Sequence, residues 1–225
     1  MSDGGELVEF LRRIFERRSE RQAEKAGAHK SSRNMGPSRI IGILGSARQD
    51  GNTAALTAAV FQNFNDARMI DLNKLSIAPY NYDNDHEADD FLDLAHMMAE
   101  ADAIVFASPV YWYSMSAQLK VFFDRLTDLT KAHKALGRRL AGKPVFVVAT
   151  GSAESPPSSF EYPFSETARY FDMRWGGMLY ASFRDQPLLS EETQNKTAAF
   201  ANKKAEAFAL KIESTLTDMS EQAVA

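Results

Sequence analysis

Gly45, Ser46, Arg48, Gly51, Asn52 and Thr53 fall within nine consecutive positions, and together they carry the chemistry of an anion site. The run before them, Ile40-Ile41-Gly42-Ile43-Leu44, is apolar, the pattern of a strand buried on both faces of a parallel sheet. After them Leu56, Val60 and Phe64 recur every four residues, as on one face of a helix. Strand, small polar loop and helix N-terminus bring free backbone N–H groups and the positive end of the helix dipole to one point. Gly45 and Gly51 let the backbone approach closely. Ser46 and Thr53 add hydroxyl donors, and Arg48 adds a bidentate fork. The expected guest is a phosphate; the plain alternative is a surface loop capping an ordinary helix.

The spacing limits which phosphate. A nucleoside-triphosphate loop needs four residues between its glycines and then Lys-Ser/Thr. Here five residues separate Gly45 from Gly51, and Asn52 stands where that lysine would be. Triphosphate hydrolysis is therefore disfavoured. The dinucleotide pattern G-x-G-x-x-G is absent as well.

A second informative stretch runs from Ser108 to Lys120. It follows the apolar strand Ala103–Ala107 and opens a helix marked by Met115, Leu119, Phe122 and Leu126. Tyr111, Trp112 and Tyr113 come after the strand has ended, where core packing does not explain them. Such a loop lays flat apolar surface and backbone N–H groups beside a planar ligand; a subunit contact is the plain reading, and the two coexist. A fourth strand, Val145–Ala149, ends in Thr150-Gly151-Ser152-Ala153, small residues that again permit close approach.

These stretches need a frame to position them. Further strands are read at 67–72 and 178–181, and helices at 88–101, through the aromatic-rich segment from Phe160 to Trp175, and from about Glu191 to Leu216. Five strands alternating with helices predict an α/β fold, a flavodoxin-like doubly wound five-stranded parallel sheet of order 2-1-3-4-5 with right-handed crossovers. In that order ligands bind where strands one and three diverge, and the general rule for this fold places FMN there. The phosphate loop and the aromatic loop leave those two strands, so one ligand, a flavin mononucleotide, suits both.

The bulk numbers agree with such a domain. The chain has 225 residues and a net charge of −4, and no apolar run approaches the ~20 residues of a membrane span. No signal peptide is read, and a cytoplasmic location is expected. Cysteine is absent, which excludes disulfides, thiol catalysis and cysteine-held metal centres. Residues 1–39 carry nine Lys/Arg against six Asp/Glu, whereas the remainder is net acidic, so no nucleic-acid partner is expected. Residues 5–25 read as an amphipathic helix, with Leu7, Leu11 and Ile14 among interleaved Arg and Glu, either an arm that packs on a partner subunit or a partly ordered extension of no catalytic relevance. Residues 26–38 read as a linker that carries a solvated His29. The organisation expected is an arm at 1–38, a ligand-binding domain at 39–216 and a tail at 217–225. Asp83, Asp85 and His86 are read as a solvated acidic loop rather than a metal site, and His96 as structural.

Gly45-Ser46-x-Arg48-x-x-Gly51-Asn52-Thr53, the segment from Ser108 through Lys120 and Asp124-Arg125 together resemble the NAD(P)H-dependent FMN reductases and quinone reductases of the flavodoxin superfamily. Thr150-Gly151-Ser152 is similar to their third flavin loop. The resemblance covers roughly residues 39–213. It implies that Ser46, Arg48, Asn52 and Thr53 hold the FMN phosphate. It also implies that Pro109, Val110, Tyr111, Trp112, Ser114 and Met115 flank the ring or ribityl chain, and that Thr150, Gly151 and Ser152 close the other edge. Iron–sulfur flavoproteins of the superfamily carry cysteines after the second strand; here Ile77–Tyr82 has none, so a cluster is ruled out.

What the resemblance implies is an oxidoreductase that takes hydride from NADPH or NADH onto FMN and passes two electrons to a small acceptor such as a quinone or free flavin. It further implies a homodimer or homotetramer. No side-chain acid or base is demanded, so no catalytic residue is expected. Two other readings stand beside it: a flavodoxin-type electron carrier, and a scaffold or sensor whose basic N-terminal helix is the working part. The mild net charge and Arg48 count against the carrier.

Overall fold

The computed structural model describes residues 39–83, 89–183 and 191–224. The expected arm at 1–38, with His29, and the pair Asp85 and His86 lie outside the described residues. Five strands form one parallel sheet in the order β2-β1-β3-β4-β5, as expected. They are β1 Ile40–Leu44, β2 Ala67–Asp71, β3 Ala103–Pro109, β4 Pro144–Gly151 and β5 Arg174–Ser182. The helices between and after them are α1 Asn52–Phe61, α2 Phe91–Glu100, α3 Ala117–Arg125, α4 Lys134–Arg138, α5 Tyr162–Tyr170 and α6 Glu191–Val224.

Alternation along the central strands divides the core into two layers. Ile41, Ile43, Ile104, Phe106, Val145 and Val147 pack with α2, α3 and α5 through Met98, Leu119, Phe122 and Phe164. Ile40, Leu44, Val105, Phe146 and Val148 face the other way, onto Val60 of α1 and Phe208 and Ile212 of α6. β1 and β3 are buried along their whole length, which is why both read as unbroken apolar runs. Edge strand β2 is half-exposed.

Three readings shift at their edges. β5 begins at Arg174, before the expected 178, because Gly176 and Gly177 weaken the strand signal. Gly176 is required: a Cβ there would lie 2.2 Å from the Phe146 ring, at the register irregularity between β4 and β5. α6 runs on to Val224 through the position read as the start of a tail. In the aromatic segment Phe160 and Phe164 are core residues while Tyr162 and Tyr170 are exposed, and His96 lies on the exposed side of α2.

One buried ion cluster ties the segment after β2 to α3. Arg125, only 2 % exposed, pairs with Asp89 and, at 2.8 Å, with Asp128; it also donates to the Ala78 carbonyl and stacks over the Phe91 ring. Burial alone would raise the Asp89 pKa, but hydrogen bonds from Arg125 and from the Ala78 and Phe91 N–H groups outweigh it and hold the carboxyl below its usual range.

Candidate functional site at the carboxyl edge of the sheet

Register brings the three informative stretches to one edge. Leu44 pairs with Asp71 and Ala107, and Pro109 pairs with Thr150, so the loops after β1, β2, β3 and β4 emerge side by side. In open α/β sheets this carboxyl edge is where ligands bind.

The loop after β1 ends in a helix with an open N-terminus. Gly51 is the N-cap of α1 and provides no side-chain cap, and the first turn holds no acidic residue. α3, by contrast, is capped by Ser116, whose Oγ accepts from the Leu119 N–H at 3.2 Å. The uncapped amides of α1 thus stand at the end of a loop that holds the buried Ser46 and the exposed Arg48, with the exposed Asn52 as first residue of the helix, a donor set suited to an anion. Ser46 Oγ accepts from the Arg48 N–H at 3.3 Å, which curls the loop around it. A Cβ on Gly45 would lie 2.5 Å from the Leu119 Cβ, so only glycine lets α3 seat against this loop.

Side chains fasten the loops together. Ser116 Oγ donates to the Gly45 carbonyl at 2.5 Å, and Ser108 Oγ accepts from the Ser116 N–H at 3.0 Å. The Val110 N–H donates to the Thr150 carbonyl at 2.7 Å. Asn73 Nδ2 reaches from the segment after β2 to the Ser46 carbonyl, while Asp71 Oδ1 holds Asn73 through its backbone N–H and its side-chain amide, each at 3.0 Å. Sequence reasoning missed Asn73, Ser108 and Ser116. The signal for Ser116 is a serine three residues before Leu119 at a helix start. The signal for Asn73 is the turn-forming Asp71 ahead of it.

The loop after β3 turns on two aromatics. Tyr111 and Ser114 exchange both backbone hydrogen bonds, at 2.9 and 3.0 Å, so Trp112 and Tyr113 form a two-residue hairpin turn. Both have positive φ, 46° and 67°, the pattern usually met by Asn-Gly. Trp112 is 92 % exposed and Tyr113 69 %, so bulky residues are held in a left-handed backbone without burial in return. Pro109 and Met115 are buried beneath the turn, Val110 is half-buried, and Tyr111 and Ser114 are exposed at its base. The end of β4 adds a buried Thr150 and a half-buried Gly151, and the loop after it an exposed Ser152. The thirteen residues expected at the site therefore lie at the ends of β1, β3 and β4, in the loops that follow them, and in the first turn of α1.

A helix N-terminus with no acidic residue in its first turn thus stands near exposed aromatic surface at the neighbouring strand end, chemistry suited to a phosphate and to a planar ring. Comparison with solved structures gives the same fold. General stress protein 14 of Treponema denticola, in complex with FMN, superposes with a TM-score of 0.57 at 15% identity, covering 77% of this chain and 98% of that one. The sheet is thus flavodoxin-like. The family model described as NADPH-dependent FMN reductase matches residues 38–174, and the chain belongs to that family, whose cofactor is FMN and whose electron donor is a nicotinamide nucleotide.

Among curated relatives, a Bacillus subtilis protein named as an NAD(P)H-dependent FMN-containing oxidoreductase, YwqN, is 30% identical over 122 residues. An iron-sulfur flavoprotein of Archaeoglobus fulgidus is 30% identical over 128 residues. The matched stretches cover 50% and 52% of this chain and 66% and 57% of those relatives, less than two thirds of either. This chain contains no cysteine with which to hold the cluster that the second relative is named for. Among the described residues no helix is long and apolar enough to cross a membrane.

Proposed function

We propose that this protein is an FMN-dependent NAD(P)H oxidoreductase that delivers two electrons to a small acceptor, a quinone or free flavin. The observation that carries the reading is the pairing of the open α1 N-terminus with the exposed aromatic turn at the adjoining strand end. FMN held there would supply two-electron redox chemistry between the nicotinamide donor and the acceptor.

The chain's own residues bind and orient. The α1 amides, Ser46, Arg48, Asn52 and Thr53 would hold the phosphate, the charge of Arg48 adding to the helix dipole. Val110, Tyr111, Trp112, Ser114 and Met115 would flank the ring from one side, with Pro109 fixing the end of β3. Thr150, Gly151 and Ser152 would close the other edge. Trp112 and Tyr113 would shield the reacting face from water and stack on flat substrates. No side chain is required to transfer a proton.

The exposed Tyr111, Trp112, Tyr113, Tyr162 and Tyr170 support a homodimer or homotetramer in which a second copy covers the ring pocket. The N-terminal arm would act in that assembly, and a nicotinamide-fed reaction suits the cytoplasm. Anaerobic titration tests the proposal: the yellow, FMN-loaded protein should bleach with NADPH or NADH and regain colour when a quinone is added. Colour that resists both nicotinamides would move the carrier reading ahead, and a protein that refuses FMN would sink the flavin reading itself.

A further inference from the structure

A concavity lies outside the flavin loops. It is a cleft of about 360 Å³ between the segment after β2 and the outer face of α3, within the size range of small-ligand sites. Tyr80 and Tyr82 form one wall, their rings edge to face at 5.4 Å, and Tyr82 is 88 % exposed. Lys131 stands over both rings, 5.5 and 5.3 Å from their centroids, with Nζ donating to the Tyr80 hydroxyl at 2.8 Å. That contact uses one of the three ammonium donors. Thr127 adds a hydroxyl to the lining. The acid in the cleft, Asp124, is engaged by Lys120 at 2.6 Å, which offsets its charge.

The donor set therefore offers an aromatic face and, beside it, a placed cation with hydroxyls. That chemistry recognises a flat base carrying a phosphate. Position adds a second constraint. Asp124 lies eight residues beyond Ser116, the cap of α3 at the flavin loops, hence roughly 12 Å along the helix axis. A ligand with one end at the Trp112 turn and the other in this cleft must be long, with rings at both ends.

We infer that the cleft takes the phosphoadenosine end of the nicotinamide donor, with the base on Tyr82 and the 2′-phosphate on Lys131. The inference rests on the oxidoreductase reading and extends it by placing the group that separates NADPH from NADH, the 2′-phosphate, on Lys131. Lys131 is exposed at the surface, so replacing it leaves the core untouched.

The test uses the full-length, FMN-loaded protein and its Lys131→Met and Tyr82→Ala variants. In Lys131→Met the ratio of KM for NADPH to KM for NADH should rise about tenfold, the size of one charge-assisted hydrogen bond. In Tyr82→Ala both KM values should rise together, since both donors carry the base. Calorimetric titration with adenosine 2′,5′-bisphosphate should show binding that weakens about tenfold in Lys131→Met. An unchanged KM ratio, or bisphosphate binding that is absent or indifferent to Lys131, overturns the assignment. Should the loaded protein oxidise neither nicotinamide, the oxidoreductase reading falls, and the bisphosphate titration alone then decides the cleft by the same criterion.

Discussion

The hydroxyls of Thr53 and Thr150 lie 2.6 Å apart across a sequence separation of 97 residues, and both residues are buried. The contact joins the first turn of α1 to the end of β4, although β3 lies between β1 and β4 in the sheet. One hydroxyl donates to the other. The start of α1 and the end of β4 are thus a single hydrogen-bonded unit.

Thr150→Val keeps the shape and removes the hydroxyl. It should weaken FMN binding by about 0.5–1.5 kcal/mol, the net worth of one hydrogen bond. Flavin-fluorescence titration of the two proteins measures this, and equal dissociation constants would show that the contact is purely architectural.

Arg48→Ala should weaken FMN binding by more, about 1.5–3 kcal/mol, because the lost partner is charged. The effect should shrink as salt is raised, since Arg48 is exposed to solvent. Unchanged affinity in this variant would mean that the phosphate is held elsewhere.

The turn at Trp112 and Tyr113 stores strain of about 1–3 kcal/mol per residue. Replacing the pair by Asn-Gly should raise the denaturant midpoint while lowering turnover with a quinone. A variant less stable than the parent would show that the aromatics are held by contacts with a partner copy rather than by the turn alone.

Removing Arg125 strands two carboxylates. Arg125→Met should cost about 3–5 kcal/mol of stability, because Asp89 and Asp128 remain buried without their cation. Among the described residues Asp128 Oδ1 already finds no hydrogen-bond partner, which leaves that carboxylate little tolerance. Urea unfolding measures the loss, and a change below 1 kcal/mol, the scale of an exposed pair, would refute the burial argument.

The same cluster gives a pH dependence with a definite sign. Asp89 titrates below its ordinary value of 3.8 when folded, so on acidification the unfolded chain takes up the proton first. Its contribution to stability is complete at neutral pH, begins to fall as pH approaches 3.8 and is lost once pH passes the lowered folded value. Asp89→Asn should lower stability at neutral pH and flatten the acid limb of a stability–pH profile. An unaltered acid limb would assign the acid sensitivity to other carboxylates.

Much of the architecture is legible because burial on both sides writes itself as unbroken apolar runs. β1, β3 and β4 are of this kind, and the loops that follow them announce themselves by abrupt small and polar residues. Elements that depend on geometry are hidden. Nothing in the residue types of Trp112 and Tyr113 announces a left-handed backbone, which is imposed by pairing Tyr111 with Ser114. Asn73 reaches Ser46 only because register sets Asp71 level with Leu44. The short helix α4 and the 3₁₀ turn at Leu126–Thr130 are too brief for a periodic signal, so the stretch between α3 and β4 was not resolved from sequence.

The ties from Asn73 to Ser46, from Ser116 to Gly45 and from Thr53 to Thr150 join strand ends that are remote in sequence. Substitutions at these positions will not sum. Once one tie is gone the loop it held has relaxed, and removing the next takes away less, so a double-mutant cycle on Asn73→Ala and Ser116→Ala should show a coupling energy within the 0.5–3 kcal/mol found for networked neighbours. A site built this way tolerates change at its rim, where Trp112 and Ser152 stand free of those ties, and resists it at its base. Differences among relatives in what they reduce would then collect at the rim, above a floor that stays the same.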